Sequence, residues 1–290
     1  MHPFHYILHL RPRSWPVVAG HMLVGFLVVP HIDWSYDLAL KCLFALVCWV
    51  PLLNGGTLAI NSYYDNDEGD IGYLNDPPPI PRYLQWFSLF LLVAGLPLSW
   101  IVSRQFFWAY AASVVLSILY SVPPLRLKSK PGIDALINGI GYGALTFFAG
   151  YAVHGVPASL TIVAACLFYF FLFIAFYPLT QIYQYEEDVA KGDVTLTIFF
   201  GKRNVLFFSV VLILIAYGCL ALSFLERPIT GGCLAVALSA LLWLGLLGHW
   251  LAAFDRYPHK NGMYRALYIW AFTDIAVVIA FSGLIDMLGA

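Results

Sequence analysis

Two stretches of the chain concentrate oxygen-bearing side chains beside long apolar runs. The first is "NSYYDNDEGD" at residues 61–70, and the second is "QIYQYEEDVAKGD" at residues 181–193. Clustered carboxylates repel one another unless a cation lies between them. Hard oxygen ligands suit Mg²⁺, which usually keeps several waters and is completed by the phosphates of a substrate. Both stretches are therefore candidate metal sites, and a solvated acidic loop is the alternative for either stretch alone.

Helical spacing would bring some of these side chains together. If the first stretch continues the apolar helix before it, Asn61, Asp65 and Glu68 share one face, while Asp67 and Asp70 point around the side. The second stretch repeats this spacing at the end of another apolar run, with polar oxygens at Gln181, Gln184 and Asp188.

A basic loop lies between the two stretches. It reads "YSVPPLRLKSKPG" at residues 120–132, with Arg126, Lys128 and Lys130 at every second position. In an extended segment that begins at proline, such alternation aims the three basic groups the same way. They suit a diphosphate that is held by metals on one side and by Lys and Arg on the other. The alternative is that they only set the membrane orientation.

The composition indicates the class of protein that positions these groups. The chain has 290 residues, of which 61% are hydrophobic and 11% are charged, whereas a soluble domain carries roughly 25% charged residues. Long apolar runs exclude a β-barrel, because its spanning strands are short and alternate apolar with polar residues. We therefore expect an all-α polytopic membrane protein. The net charge of −1 gives no field that would attract nucleic acid.

Nine spans account for the apolar runs, since a spanning helix needs about 20 mostly apolar residues. With alternating sides, twelve of the fifteen Lys and Arg residues fall on the side of the N-terminus. This asymmetry predicts a cytoplasmic N-terminus and an external C-terminus. Both acidic stretches and the basic loop then face the cytoplasm. The predicted spans are 15–29, 38–62, 83–102, 106–122, 133–153, 158–182, 205–225, 229–251 and 264–288.

The spacing of the acidic stretches indicates an internal repeat. Four spans separate them, and each follows an apolar helix on the same side of the membrane. Similar halves around a central site are common in membrane proteins. We expect a single transmembrane domain over residues 1–290, built from two similar halves with acidic motifs at 61–70 and 181–193. In a prokaryote it would lie in the cell (inner) membrane.

Four motifs in order make the chain resemble the UbiA-type intramembrane prenyltransferases. They are "LRPRSW", "NSYYDNDEGD", "YSVPPLRLKSKPGIDALINGIGYG" and "YEEDVAKGDVTLTIFFGKR", and they extend from about Leu10 to Lys202. The resemblance implies nine helices around a central cavity. It also implies Mg²⁺-dependent transfer of a prenyl group from a prenyl diphosphate to a hydrophobic acceptor in the bilayer. The family's acceptors include hydroxybenzoate, naphthoate, homogentisate, tetrapyrroles, sugar phosphates and glycerol phosphates.

The same resemblance assigns metal ligands, with departures. Asn61 and Asp65 match the family's N-D-x-x-D-x-x-x-D motif, but Ser62 and Gly69 stand where it usually has Asp. In the D-x-x-x-D motif of the second stretch, Asp188 matches and Gln184 replaces the earlier Asp. In the first motif, Glu68 or Asp70 would take the place of the missing aspartate after a small shift. The implied metal ligands are Asn61, Asp65, Glu68, Asp70 and Asp188.

The resemblance also implies roles in the reaction. Metal ions at Asp65 and Asp188 would make diphosphate a better leaving group, and Arg126 and Lys128 would take up its developing charge. The implied catalytic residues are Asp65, Asp188 and Lys128. The implied substrate-binding residues are Asn61, Arg126, Lys128, Tyr120, Asn138, Gln184 and Lys191.

The sequence is compatible with two other functions. The incomplete acidic motifs would also fit a terpene cyclase of the same fold, which ionises a prenyl diphosphate without an external acceptor. A secondary transporter is the alternative from another class. Transporters, however, place their ionisable groups near the bilayer midplane, whereas the acidic residues here gather at one face.

Overall fold

The computed structural model describes residues 3–29, 32–66, 74, 76–192, 194–224 and 231–282. Within these ranges the chain folds into α-helices joined by turns and by short 3₁₀ and π segments. The helices are α1 (Phe4–His9), α2 (Trp15–Leu27), α3 (Tyr36–Val47), α4 (Gly56–Asp65), α5 (Leu84–Val102), α6 (Arg104–Ser121), α7 (Ile133–Asn138), α8 (Thr146–Ala152), α9 (Leu160–Lys191), α10 (Leu196–Phe200), α11 (Lys202–Leu222), α12 (Gly231–Ala252) and α13 (His259–Ser282).

Six helical stretches of the described chain have the length and apolarity of a membrane span. They correspond to predicted spans two, three and six to nine, and the prediction of an all-α membrane protein is confirmed at this level. The six stretches are Tyr36–Asp65, Leu84–Val102, Leu160–Glu186, Lys202–Leu222, Gly232–Ala252 and His259–Phe281.

The other three predicted spans are helical as well. Predicted span one corresponds to α2, span four to α6, and span five to a continuous helix from α7 to α8. None of them combines the length and the apolarity of the six stretches above. The count of nine spans and the sides of the two termini therefore stay predictions.

Hydroxyl side chains begin several of the long helices. The hydroxyls of Ser35, Ser103 and Ser159 accept a hydrogen bond from the backbone N–H three residues later, at the starts of α3, α6 and α9. Thr195 does the same for α10. Such caps satisfy an N–H group that has no partner within the helix. At the other end of α9, Gly192 takes the left-handed conformation at φ 75°, which glycine adopts without steric cost.

Two π segments interrupt the helices that lead to or from the motifs. Cys48–Gly55 contains Pro51 and runs directly into α4. Proline lacks an N–H group and clashes with the preceding turn, so it disturbs the regular hydrogen-bond ladder. Gly139–Leu145 follows α7 directly. Single-turn π segments are frequent at functional sites in proteins.

The chain forms two compact units. The first comprises Met1–Phe26, Asp33–Leu127 and Phe148–Val156, and the second comprises Leu27–Ile32, Lys128–Phe147 and Pro157–Ala290. The first acidic motif lies in the first unit and the second motif in the second unit. The similarity of two halves within a single domain stays a prediction.

Each unit has an aromatic core. In the first unit, Trp49 packs edge-on against Phe106 and Tyr110, at centroid distances of 5.7 and 6.3 Å. In the second unit, Phe168 contacts Tyr169 at 4.8 Å. All five side chains are buried, which fixes the helices that carry the two motifs.

Candidate functional site

The first acidic motif ends its helix earlier than the sequence suggests. Helix α4 stops at Asp65, because Asn66 takes the left-handed conformation at φ 48°. Asn61 and Asp65 share a face of α4, as predicted. Glu68 and Asp70 lie outside the described residues. A carboxylate at the last residue of a helix meets the negative end of the helix dipole, so Asp65 does not serve the stability of α4.

A cation of the basic loop offsets the negative charge of Asp65. The Arg126 guanidinium approaches the carboxylate with an Nη2 to Oδ1 distance of 3.3 Å. The Asp65 side chain is 13% exposed and that of Arg126 is 39% exposed, so the pair lies at a partly open surface of the first unit. Beside it, the Ser121 hydroxyl donates to Asn61 Oδ1 at 3.3 Å. Tyr120, which precedes Ser121 on α6, is half-buried.

The basic loop is not extended, and this part of the prediction is wrong. Arg126 takes the left-handed conformation at φ 35°, and a 3₁₀ turn follows at Leu127–Ser129. Helical and left-handed backbone breaks the two-residue repeat of a strand. The basic groups at Arg126, Lys128 and Lys130 therefore do not alternate along a strand. Lys128 is half-buried and Lys130 is exposed.

The first motif has a buried cation that the assignment of site residues missed. Arg11 is 7% exposed and Ser62 is 1% exposed, and Arg11 Nη2 donates to the Ser62 hydroxyl at 3.0 Å. Ser62 thus faces Arg11, one residue after Asn61. The signal was present in the sequence, since "LRPRSW" places Arg11 shortly before an apolar run.

The second motif continues its helix, as the spacing predicts. Helix α9 runs on to Lys191, so Gln181, Gln184 and Asp188 lie along one helix, and Gln184 and Asp188 are half-buried. Lys191 ends α9, and its side chain is outside the described set. Glu186 forms an ion pair with Lys202 at 2.9 Å.

The remaining predicted residue, Asn138, bonds within its own helix. Its Nδ2 donates to the Asp134 carbonyl at 2.9 Å, and its side chain is buried. The second unit also contains a buried polar chain that the motifs did not indicate. Gln181 Nε2 donates to Asp134 Oδ2 at 3.0 Å, and the Thr197 hydroxyl donates to Gln181 Oε1 at 3.1 Å.

Each unit by itself offers described oxygens that fit Mg²⁺ as part of a ligand shell. The described residues hold no group of three or more His, Cys, Asp or Glu side chains arranged for a metal. The first unit offers the oxygens of Asn61 and Asp65, and the second offers those of Gln184 and Asp188. Mg²⁺ prefers oxygen ligands and uses one or two carboxylates, with waters and phosphates completing the shell.

Comparison with known proteins assigns the family. The UbiA prenyltransferase family matches residues 14–272. The chain belongs to this family. It is therefore an integral membrane protein, as its apolar helices indicate. The matched residues include both acidic stretches and the basic loop.

Curated relatives of this UbiA-family chain are distant. It is 28% identical to the chloroplastic chlorophyll synthase of Oryza sativa subsp. japonica over 210 residues, which are 67% of this chain and 54% of the relative. It is 29% identical to the lycopene elongase/hydratase of Haloarcula japonica over 226 residues, which are 73% of this chain and 72% of the relative. The chain spans about half the length of the chlorophyll synthases that it matches.

A solved structure shares the fold. The UbiA homologue from Archaeoglobus fulgidus, solved with GPP and Mg²⁺, superposes with a TM-score of 0.69 at 22% identity, covering 94% of this chain and 99% of the homologue. A likeness at this identity supports the fold of the UbiA-family chain. The fold class predicted from the sequence is thereby confirmed in its all-helical, membrane-spanning form.

Proposed function

We propose that this chain is a Mg²⁺-dependent prenyltransferase, which moves the prenyl group of a prenyl diphosphate to a hydrophobic acceptor within the membrane. The observation that carries the proposal is the 3.3 Å contact between Asp65 and Arg126. The pair places a carboxylate that suits a metal ion beside a guanidinium that suits a phosphate. A metal diphosphate carries both complementary charges, so it can exchange the internal contact for one contact to each residue.

The proposed metal ligands in the first unit are Asn61 and Asp65. In the second unit we propose Gln184 and Asp188, whose oxygens lie on the polar end of α9. Mg²⁺, when bound, would neutralise the diphosphate and make it a better leaving group. Glu68 and Asp70 remain proposed ligands from the sequence.

The chain's own basic residues act on the leaving group. Transfer breaks the bond between the first prenyl carbon and a diphosphate oxygen, and the electron pair leaves with the diphosphate. Arg126 and Lys128 stabilise this charge as it develops, the kind of interaction that accelerates the bond-breaking step. The allylic cation left behind is stabilised by aromatic faces, and Tyr120 is the proposed aromatic residue near the first motif. Asn138 and Lys191 are proposed to bind substrate.

The names of the relatives support the classes of the two proposed substrates, a prenyl diphosphate and a hydrophobic acceptor. The homologue from Archaeoglobus fulgidus was solved with GPP and Mg²⁺, and GPP is a prenyl diphosphate. The chlorophyll synthase and the lycopene elongase/hydratase differ in the acceptors that their names indicate. We propose an apolar acceptor that reaches the site from the bilayer, with the diphosphate entering from the cytoplasm.

Turnover by the purified protein tests this proposal. The full chain in lipid nanodiscs would be incubated with radiolabelled prenyl diphosphates of increasing length, with membrane lipid extract as the source of acceptor. We expect diphosphate release and a prenylated product with Mg²⁺, and neither with excess EDTA. The Asp65→Ala and Asp188→Ala variants should lose both signals. Diphosphate release that is equal with Mg²⁺ and with EDTA would contradict the metal dependence.

The same assay separates the two other functions. A cyclic hydrocarbon that forms at full rate without any acceptor would replace the transferase with a terpene cyclase. A transporter would instead move a solute into proteoliposomes and release no diphosphate from any prenyl substrate.

A further inference from the structure

A buried hydrogen-bond chain joins three segments of the second unit. Asp134 on α7 is 1% exposed, Gln181 on α9 is 5% exposed and Thr197 on α10 is fully buried. Gln181 Nε2 donates to Asp134 Oδ2 at 3.0 Å. Gln181 Oε1 accepts the Thr197 backbone N–H at 3.2 Å and the Thr197 hydroxyl at 3.1 Å. One amide side chain thus connects α7, α9 and α10.

Asp134 also lies next to the end of the basic loop. The backbone N–H groups of Ile133 and Asp134 both donate to the Lys130 carbonyl, at 3.1 and 3.2 Å. The start of α7 is therefore bonded to the segment that carries Lys128, two residues before Lys130. Any displacement of α7 against α9 would move this segment as well.

The partner of Asp134 lies on the same face of α9 as the proposed metal ligands. Gln184 follows Gln181 by three residues and Asp188 follows it by seven, spacings that keep side chains on one side of a helix. The rotation of α9 about its axis sets where these two oxygens point. Asp134 and Thr197 hold the Gln181 amide from both sides, so their hydrogen bonds restrain this rotation.

Stability alone is a poor reason for a carboxylate at this position. Burying an ionised carboxylate is costly unless it is paired and fully hydrogen-bonded. Within the described part of the chain, the Asp134 carboxylate has no cationic partner; it bonds the Gln181 amide and backbone groups at the start of α7. An apolar pair at positions 134 and 181 would hold the helices together more cheaply. The competing structural role is that of an acid in the first turn of α7, where the helix dipole favours negative charge. That role needs Asp134 but does not need Gln181.

We propose that Asp134 is a positioning residue, which acts through Gln181 to hold Gln184 and Asp188 in register with the Lys128 segment for binding a metal diphosphate. The inference rests on the proposed function. Asp134 itself does not contact the substrate in this scheme. Residues that orient metal ligands typically change metal affinity or activity by about 10–100-fold when they are lost.

Three single variants, together with the double variant Asp134→Ala/Gln181→Ala, distinguish the two roles. Asp134→Ala removes the acceptor, Gln181→Ala removes the donor, and Asp134→Asn keeps an oxygen that accepts from Gln181 without the charge. Positioning predicts equal defects for the two alanine variants, no larger defect in the double variant, and recovery in Asp134→Asn. The role at the helix terminus predicts defects in both Asp134 variants and none in Gln181→Ala. Tyr217→Phe is the matched control, because it removes a partly buried 2.6 Å hydrogen bond to Ser239 in the same unit.

Metal binding and turnover are measured on the full chain. Mn²⁺ titrations, followed by electron paramagnetic resonance with a non-hydrolysable thiolo analogue of a prenyl diphosphate, should show affinity that falls about 10-fold in both alanine variants. The half-saturating Mg²⁺ concentration for turnover should rise by the same factor, with melting temperatures no lower than that of Tyr217→Phe. The proposal is overturned by Mn²⁺ affinities within about twofold of the parent in both alanine variants, or by defects that multiply in the double variant. If the parent binds neither Mn²⁺ nor the analogue, the proposed function fails instead.

Discussion

The Arg11 guanidinium donates to the Ser62 hydroxyl at 3.0 Å, within a buried part of the first unit. Ser62 stands where UbiA-type motifs usually have an aspartate, so the group that faces Arg11 in this chain is a hydroxyl. Asn61 and Asp65 stay on α4 beside this serine. The contact between Arg11 and Ser62 leads to a prediction about stability.

Substitutions of Ser62 should change stability according to what they offer Arg11. Ser62→Val leaves Arg11 with one hydrogen bond fewer, and a lost bond to a buried charged group costs about 1–3 kcal/mol. We expect a lower melting temperature for Ser62→Val. Ser62→Asp should keep or raise it, because a carboxylate forms a stronger, charge-assisted bond with Arg11.

Ser113→Ala is the control for Ser62→Val. Ser113 is also buried, but its hydroxyl donates to the Ala109 carbonyl one turn earlier at 2.9 Å. Loss of this hydroxyl therefore removes no hydrogen bond from a charged group. Thermal unfolding followed by size-exclusion chromatography measures all three variants. Equal losses in Ser62→Val and Ser113→Ala would show that the Arg11 contact adds nothing to stability.

The sequence predicts helices and motifs well because their signals are local. The apolar runs indicate α9 and the spacing of Gln184 and Asp188 along it, since helical periodicity depends only on near neighbours. The turn at Arg126 escaped prediction because alternating residues fit a strand and a turn equally well until the backbone conformation is known. Long-range pairs escaped for another reason. Arg11 meets Ser62 across 51 positions, and no local pattern encodes such a contact.

The Asp65–Arg126 pair gives a prediction about catalysis. Arg126→Ala should lower kcat by roughly 10²–10³, because it removes a preformed positive group from the developing diphosphate charge. Arg126→Lys should recover only part of this loss, since Lys keeps the charge but lacks the planar fork of Arg. Steady-state turnover in nanodiscs at saturating Mg²⁺ measures both effects.

Lys41→Ala is the control for this series. Lys41 pairs with Asp37 at 2.7 Å on an exposed face of α3, and exposed pairs contribute little. Its turnover should match the parent. An Arg126→Ala variant with the kcat of the parent would exclude a role for this guanidinium in leaving-group stabilisation.

His9 predicts how stability depends on pH. The side chain is 1% exposed, and its Nε2–H donates to the Pro78 carbonyl at 3.1 Å. Burial lowers the pKa of His9 from its ordinary value of 6.5; the Pro78 hydrogen bond opposes this shift, and nearby Arg11 adds to it. The folded protein therefore favours the neutral ring. The resulting stability is present above pH 6.5 and is lost as the pH falls through the lowered pKa.

A His9→Gln variant isolates this effect. Its amide can donate to the same carbonyl but does not titrate in this range. Melting temperatures recorded from about pH 7.5 to pH 5 should fall more steeply for the parent than for the variant. Parallel curves would mean that protonation of His9 does not contribute to the loss of stability in acid.

The orientation of the chain in the membrane depends on the number of spans. Twelve of fifteen basic residues lie on one side only if nine spans alternate, although six helical stretches of the described chain qualify as spans by their own length and apolarity.

Fusions in a bacterial host test the count, because alkaline phosphatase is active only outside the cytoplasm and green fluorescent protein fluoresces only inside. Phosphatase fused after Ala290 should be active, and green fluorescent protein fused after Gly192 should fluoresce. Truncation after Ala252, which removes α13, should reverse the side of the fusion. Fluorescent fusions after both Gly192 and Ala290 would require an even number of spans beyond Gly192, and the C-terminus would then be cytoplasmic.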